Sequence, residues 1–286
     1  MDLTTVTLRE KSSAAPALTS WQGRLYVAWT GTDTRLNVMS TPDGRSFSDK
    51  TRLDEKSYRT ESSSSMGPGG SSTTNYICLS PALAGSASGV NLAWTGSDGH
   101  LNVQLTRSAG SPAHLRLRET SRVAPSLTAL GGDIAVAWTG TDRHLNLLTW
   151  QAEQPGHPVR LDQTSSEAPA VCGVGNSILL GWAGTDRHLN YLFVQGGSYG
   201  RPVRLDGKTS VAPAVCAFDS EVALVWTGSD RHVNLLVSRG GSLSGAVRLD
   251  ETTTHSPAVC NHLGRLFLAW TGSDGRLNLA RLGQAR

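Results

Sequence analysis

The chain has 286 residues, which is long for an average domain but within the range of a single all-β barrel or propeller. Its 26 lysines and arginines against 23 aspartates and glutamates leave a net charge of only +3, too small to make nucleic acid or an anionic membrane an expected partner. The 31 glycines and 12 prolines are typical of short strands joined by tight turns. No apolar run approaches the roughly 18 residues of a membrane helix, so we expect no membrane insertion.

The N-terminal segment bears on both the compartment and the fold. The first five residues do not combine a basic stretch with an apolar one, so we expect no secretory signal. Val6-Thr7-Leu8 is typical of a short strand, and it ends eight residues before Pro16. The same spacing separates Leu249 from Pro257 near the other end of the chain. The N-terminal segment is therefore expected to supply the last strand of the final repeat.

The string W-[TA]-G-[TS]-D-x-x-[LV]-N occurs six times, and each copy follows a proline 13 residues upstream of its tryptophan. The tryptophans that begin the copies are Trp29, Trp94, Trp138, Trp182, Trp226 and Trp270. The last four intervals are all 44 residues and the first is 65, mostly because a segment of about residues 58–77 is inserted there. The serine and glycine content of the insertion predicts a flexible loop.

Each repeat is expected to form four short strands, which the fifth copy illustrates. Its alternation predicts strand A at 213–216, strand B at 222–227, strand C at 233–238 and strand D at 246–249. Four strands at a period of about 44 residues are typical of a propeller blade. We therefore predict an all-β, six-bladed β-propeller of four-stranded blades, closed by the N-terminal strand pairing into the last blade. The single domain spans 1–286, with blades near 16–53, 81–117, 125–161, 169–205, 213–249 and 257–286 plus 4–8.

Three polar positions recur in every repeat at the turn between strands B and C. The aspartate and the asparagine of the motif are expected to satisfy backbone groups, while the tryptophan packs between blades. The residue two positions after the aspartate is arginine or histidine in all six copies, and a turn does not require a cation there. This series predicts a ring of ligand-binding side chains, with a purely structural role as the alternative. Its members are Arg35, His100, His144, His188, His232 and Arg276.

The repeats resemble those of the propeller lectins, in which a Gly-Thr-Asp turn such as the one at 140–142 enters a strand. The resemblance is one of architecture, covers nearly the whole chain and implies sugar sites between adjacent blades. Shallow sites repeated around a ring bind weakly one at a time but gain avidity on a dense glycan surface. We therefore expect a carbohydrate-binding lectin with repeated shallow sites. Its partners would be glycans or a small polar ligand, and no cofactor is expected.

A second resemblance is to the six-bladed sialidase-like propellers, whose Asp-box S-x-D-x-G-x-T-W lies at the turn between strands C and D. One degenerate relative, the segment S-T-P-D-G-R-S-F at 40–47, occurs here, and the other five repeats lack it. The early Arg-Ile-Pro motif of that family is missing as well. The resemblance therefore concerns the fold and does not extend to sialidase chemistry.

The alternative to a lectin is a single-site enzyme, processing glycosides or converting a small molecule, with its pocket at the mouth of the central channel. Four polar, non-repeated residues precede the repeated prolines there: Cys78, Arg122, Glu167 and His255. A carboxylate and an imidazole can act as acid and base and an arginine as an anion clamp, with the 58–77 insertion as a lid. Against this, exposed loop positions drift freely, and no motif of a known reaction class is present.

The sequence offers two further candidate sites. The opposite face near Phe47 and Trp150 is the remaining candidate surface if both of the other sets fail to bind a ligand. A zinc site from His255, Cys260 and His262 has a spacing that matches no standard pattern, so no metal is expected.

The four cysteines bear on the compartment. Cys172, Cys216 and Cys260 lie 44 residues apart at one strand-A position, where disulfide geometry is not expected, and Cys78 has no evident partner. Unpaired thiols without a secretory signal predict a reducing cytoplasm. Release from the cell by lysis or special export remains open, as it does for cytoplasmic lectins.

Overall fold

The computed structural model describes residues 3–64, 72–107, 111–151, 154–218, 221–238, 243 and 245–283, and it confirms the six-bladed propeller. Every blade is an antiparallel sheet of four main strands, and blades 3 and 4 add a two-residue strand between strands C and D. The described residues contain strands and no helix, so none of them forms a helix long and apolar enough to cross a membrane.

The strand bounds are as follows in chain order. β1 (Leu3–Lys11) precedes blade 1, which contains β2 (Ala17–Trp21), β3 (Arg24–Thr30), β4 (Arg35–Thr41) and β5 (Ser48–Lys56). A hairpin of β6 (Tyr58–Ser64) and β7 (Ser72–Cys78) leads to blade 2, with β8 (Ala82–Ser86), β9 (Gly89–Thr95), β10 (His100–Leu105) and β11 (Ala113–Thr120). Blade 3 contains β12 (Ser126–Leu130), β13 (Asp133–Thr139), β14 (His144–Gln151), β15 (Gln154–Pro155) and β16 (Val159–Thr164). Blade 4 contains β17 (Ala170–Val174), β18 (Ser177–Ala183), β19 (His188–Gln195), β20 (Ser198–Tyr199) and β21 (Val203–Lys208). Blade 5 contains β22 (Ala214–Phe218), β23 (Glu221–Thr227), β24 (His232–Val237) and β25 (Val247–Thr252), and blade 6 contains β26 (Ala258–His262), β27 (Arg265–Thr271) and β28 (Arg276–Leu282).

The ring is closed by β1, which pairs antiparallel with β28 as the outer strand of blade 6. The register runs from Leu3 opposite Leu282 to Thr7 opposite Asn278. Leu8 is buried in the cluster between blades 6 and 1, so this strand is anchored by packing as well as by the ladder. The predicted closure by the N-terminal strand is therefore confirmed.

The core consists of layers between neighbouring blades, because each sheet packs both of its faces. In β23, Val222, Leu224 and Trp226 belong to the cluster shared with blade 4, whereas Ala223 and Val225 belong to the cluster shared with blade 6. This alternation is the period of two that a β-strand imposes on its side chains. The repeated tryptophans are all buried, with exposed fractions between 1% and 5%, and they serve these layers.

The inserted segment differs from the predicted loop, because its ends form an antiparallel hairpin. The register of β6 and β7 runs from Tyr58 opposite Cys78 to Ser64 opposite Ser72. The rings of Tyr58 and Tyr76 meet edge to face with centroids 5.3 Å apart, a cross-strand contact that favours pairing. The central serine–glycine run predicts a loop, whereas the flanking residues form strands. The central residues 65–71 lie outside the described part of the chain.

All four cysteines are free thiols, three of them buried on the inner strands. Burial raises the pKa of the Cys172 and Cys260 thiols to about 12, and that of Cys216 is raised for the same reason. Each is therefore a neutral, apolar side chain at the edge of the channel.

Candidate functional site

The B–C turn of each blade is fixed by its own repeated residues, as blade 3 illustrates. The N–H of Gly140 donates to the carbonyl oxygen of His144 at 2.8 Å, and the N–H of Arg143 donates to that of Gly140 at 2.9 Å. Asp142 Oδ1 accepts the His144 N–H at 3.1 Å, and Asn146 Nδ2 donates to the His144 carbonyl at 2.8 Å. The repeated aspartate and asparagine thus satisfy the backbone of the turn.

The second oxygen of the turn aspartate pairs with an arginine of strand D. In blade 3, Arg160 Nε donates to Asp142 Oδ2 at 2.8 Å, and this bond is the main cause that lowers the pKa of the carboxyl group. Four other blades repeat the pair, as Asp33–Arg52, Asp98–Arg116, Asp186–Arg204 and Asp230–Arg248. In blade 6, Thr7 stands opposite Asn278 where the arginine would be, and Asp274 faces Arg276 at 3.7 Å. These pairs are half-exposed and add little stability individually.

The predicted ring of arginine and histidine side chains is arranged one per blade, at the start of strand C. His144 Nδ1 is 2.9 Å from the carbonyl oxygen of Leu161 on strand D of the same blade, and the rings of His100 and His232 make the corresponding contact. His188 Nδ1 lies 3.1 Å from Asp186 Oδ2 instead. Each imidazole is thus held by a contact within its own blade, as a structural role for these histidines requires. Their role as ligand contacts stays a prediction.

A cavity of about 390 Å³ lies at the channel mouth, where the D–A connections of all six blades meet. Cys78, Glu167 and His255 line it, so the structure brings three of the four predicted residues to one place. The side chain of Arg122 is not part of the lining. Arg59, from the hairpin, is part of it, and its Nη1 donates to the Arg122 carbonyl oxygen at 3.1 Å. The sequence does not single out Arg59, because the serine and glycine content of the insertion predicts a loop there.

Burial shifts the ionisation of Glu167 and His255 at the mouth. Desolvation raises the pKa of the Glu167 carboxyl group, and the charge of Arg59 opposes this shift only partly. Desolvation lowers the pKa of His255, whose Nε2 lies 3.1 Å from the carbonyl oxygen of Ser13. The neutral imidazole is therefore held in place as a donor to blade 1.

The alternative zinc combination is not assembled. His262 is buried, with Nδ1 2.8 Å from Ser20 Oγ and Nε2 3.3 Å from the carbonyl oxygen of Pro42, so both ring nitrogens are used within the fold. Among the described residues, no group of three histidine, cysteine or carboxylate side chains is arranged to hold a metal ion. The Cys260 thiol is neutral, as described above.

A second cavity, of about 370 Å³, opens between blades 3 and 4 on the face of the A–B and C–D connections. Trp150 is among the lining residues, but it is 1% exposed and its side chain belongs to the core cluster between blades 2 and 3. Its indole Nε1 is buried without a hydrogen-bond partner among the described residues. Tyr199 lines the cavity from blade 4 and is 38% exposed. Asp133, His157 and Asn176 also reach it. We name this cavity the interblade cleft.

Local sequence explains how the Tyr199 ring reaches the interblade cleft. Gly196 and Gly197 have φ angles of 56° and 79°, which a two-residue hairpin turn of type I′ requires and which glycine adopts without strain. The turn places Tyr199 opposite Val194 at the end of β19. In blade 3, Trp150 occupies the position that Val194 has in blade 4, and it lies opposite Pro155.

Trp150 is a singular residue in the repeat. The equivalent positions of the other five copies hold Thr41, Thr106, Val194, Ser238 and Leu282. The candidate surface predicted near Phe47 and Trp150 is not formed by these two rings. Phe47 packs against the core cluster between blades 6 and 1, and Trp150 belongs to the one between blades 2 and 3.

The degenerate Asp-box of blade 1 is a structural turn. Asp43 Oδ1 accepts the N–H groups of Ser46 at 2.9 Å and Arg45 at 2.8 Å and the hydroxyl of Thr41 at 2.9 Å. These bonds lower the pKa of Asp43 to about 2. The carboxylate is therefore committed to the C–D turn.

Comparison with known proteins supports the fold. The chain matches no protein-family model and no curated protein sequence. Among solved structures it is similar to the Aleuria aurantia lectin in complex with alpha-methyl-L-fucoside, with a TM-score of 0.70 and 11% identity over 97% of this chain and 94% of the lectin. It is also similar to AofleA from Arthrobotrys oligospora, with a TM-score of 0.67 and 10% identity over 100% and 88% of the two chains. The BP39L lectin from Burkholderia pseudomallei gives a TM-score of 0.65 and 14% identity over 99% and 81%.

Proposed function

We propose that the protein is a carbohydrate-binding lectin without catalytic activity and that the interblade cleft is its principal sugar site. The observation that carries this proposal is the partly exposed ring of Tyr199 in the wall of a cavity between two blades that polar side chains also line.

The composition of the interblade cleft suits a sugar. The Tyr199 ring offers an apolar face for the C–H groups of a pyranose and keeps a hydroxyl group for hydrogen bonding. Asp133 and Asn176 supply polar groups for ring hydroxyls. A volume of about 370 Å³ lies within the usual range of small-ligand sites, which begins at roughly 300 Å³.

A fucoside is the first sugar to test. The Aleuria aurantia lectin and SapL1 are each described in complex with an alpha-methyl fucoside, although they are only 11% and 14% identical to this chain. A 6-deoxy sugar carries a methyl group that can pack on Val159 or Val194, both in the lining of the cleft.

The ring of arginine and histidine side chains at the B–C turns stays a prediction of further, weaker sites. The two locations lie on opposite faces of the propeller, so variants can separate them.

The test is a glycan array, followed by calorimetry with alpha-methyl-L-fucoside or the best array sugar. Tyr199→Ala is expected to weaken binding about tenfold or more, because it removes a contacting ring at the cleft rim. Tyr76→Ala is the matched control, since Tyr76 is 63% exposed on the hairpin away from the cleft. Failure of the protein to bind any sugar on the array would contradict the lectin proposal. Equal binding by Tyr199→Ala and the parent, with loss in a His144→Ala, His188→Ala, His232→Ala triple variant, would move the site to the ring.

A further inference from the structure

The channel mouth is the place where the six-fold repeat is most clearly broken. Two residues before the repeated proline, four blades carry an apolar side chain: Ala14, Leu79, Val123 and Val211. The other two carry Glu167 and His255, which lead into blades 4 and 6. Arg59 is brought to the same cavity by the hairpin that precedes blade 2. Three different polar groups thus stand around the mouth at alternate blades.

Glu167 presents an acceptor without a donor. Its backbone is fully used, because its N–H donates to Ser165 Oγ at 2.9 Å and its carbonyl oxygen accepts the Thr139 hydroxyl at 2.6 Å. Its carboxylate oxygens have no hydrogen-bond partner among the described residues, and Arg59 acts on them only through its charge. A half-buried carboxylate in this state is destabilised, which agrees with its raised pKa.

Arg59 presents a donor without an acceptor. Its Nη2 lies 3.0 Å from Glu61 Oε1, and its Nη1 is bonded to the carbonyl oxygen of Arg122, as described above. Its Nε is buried and has no partner in the described part of the chain. Glu61 balances the guanidinium charge, so the net charge left at the mouth is that of Glu167.

We propose that the channel mouth binds one small zwitterion of the free amino acid class, with its ammonium group on Glu167 and its carboxylate on Arg59 Nε–H. Such a ligand supplies in one molecule the missing donor and the missing acceptor. The cavity of about 390 Å³ accommodates an amino acid. A ligand with only one of the two groups would leave the other protein group unsatisfied. This site is separate from the sugar site and does not depend on it.

Two features of the mouth support a built site. His255 is tied to Ser13 across the boundary between blades 6 and 1, which fixes that side of the cavity. The hairpin strand that carries Arg59 is paired along its length with β7, which continues into the lining through Ile77 and Cys78. The cation is therefore held on a strand rather than on a free loop.

The test is calorimetry of the intact protein with each of the twenty common L-amino acids, with acetate and methylammonium as single-function probes. At least one amino acid is expected to bind once per chain with a Kd below about 1 mM, and both single-function probes are expected to bind at least tenfold more weakly. Glu167→Gln and Arg59→Gln are each expected to weaken binding about tenfold or more. Asp162→Asn, at an exposed carboxylate on β16, is the matched control and should bind like the parent.

The outcomes are distinct from those of the sugar experiment. A circular dichroism spectrum like that of the parent shows that Glu167→Gln is folded, and any binding of alpha-methyl-L-fucoside by this variant should equal that of the parent. Failure of every amino acid to bind below about 1 mM would overturn the proposal. So would unchanged affinity in both channel-mouth variants, or binding of acetate as tight as that of the best amino acid.

Discussion

The hydroxyl group of Thr139, at the end of strand B in blade 3, donates a hydrogen bond of 2.6 Å to the carbonyl oxygen of Glu167 at the entrance to blade 4. The same bond joins four other pairs of neighbouring blades, through Thr30, Thr95, Thr227 and Thr271. The equivalent residue of blade 4 is Ala183, which has no hydroxyl group to offer. One of the six blade boundaries therefore lacks this bond.

Ala183→Thr should stabilise the protein, because it can supply the missing bond to the carbonyl oxygen of Val211. A buried hydrogen bond of this kind contributes about 1 kcal/mol to the free energy of unfolding. Urea unfolding of Ala183→Thr and of the isosteric control Ala183→Val measures the effect. The threonine variant should exceed the valine variant by about that amount. Equal stability of the two would show that the hydroxyl finds no acceptor at this boundary.

Deletion of residues 58–77 should leave the propeller folded. It joins Ser57 to Cys78 and Leu79, which restores the spacing of Ser121, Arg122 and Val123 in the next blade. Ser57 Oγ already donates to the carbonyl oxygen of Thr95 at 3.0 Å, the counterpart of the Ser121 bond to Thr139 at 2.8 Å. The melting temperature should stay within about 4 °C of the parent value.

The same deletion removes Arg59, so amino acid binding at the channel mouth should be lost while fucoside binding is retained. Calorimetry with both ligands on the deletion variant checks this pair of results. If the deletion variant still binds the amino acid, Arg59 is not part of the site. Loss of both ligands together with a large fall in melting temperature would show that the hairpin supports the fold.

Arg143→Gly should stabilise blade 3. Arg143 has a φ angle of 68°, in the left-handed region that costs a non-glycine residue about 1–2 kcal/mol. Gly99 and Gly275 fill the same turn position in blades 2 and 6, with φ angles of 79° and 75°. The expected gain in unfolding free energy is up to about 1 kcal/mol, and Arg143→Ala, which keeps the strain, should show none. Denaturant unfolding of both variants measures the change in unfolding free energy. A gain in the alanine variant alone would contradict the prediction.

Stability should depend on pH through Glu167. The pKa of this carboxyl group is raised in the folded state, so the folded protein holds the proton more tightly than the unfolded chain. The resulting stability is present at low pH and is lost as pH rises through the folded pKa. Without ligand, Glu167→Gln should therefore unfold at higher denaturant than the parent at pH 7, and the difference should shrink below the ordinary pKa of 4.5. A difference that is constant from pH 4 to pH 8 would exclude this linkage.

The regular part of the fold was predictable because the same sequence pattern occurs six times. The tryptophan period gave the blades, and the matched spacings before Pro16 and Pro257 gave the closure, since a strand missing at one end must be supplied by the other. The hairpin was not predictable in the same way, because it occurs once and its centre is dominated by serine and glycine.

The candidate sites were harder to predict, because they depend on residues that depart from the repeat. The interblade cleft forms only where blades 3 and 4 pack together, and Tyr199 reaches it from β20. Arg59 reaches the mouth only because its strand pairs with β7. The histidine series was visible in the sequence, but its use of Leu161 and the equivalent carbonyl groups depends on the pairing of strands C and D.

The pairing of β1 with β28 also determines the order in which parts of the propeller can fold during synthesis. Val6 lies opposite Leu279, so the two partners leave the ribosome about 270 residues apart. At synthesis rates of roughly 5–20 residues per second, β1 waits between about 15 and 55 seconds for its partner. Blades 1 to 5 carry all their strands before that moment and can assemble during translation. The ring itself is completed only after β28 has emerged, and until then β1 is an open strand that a chaperone or a second nascent chain can reach.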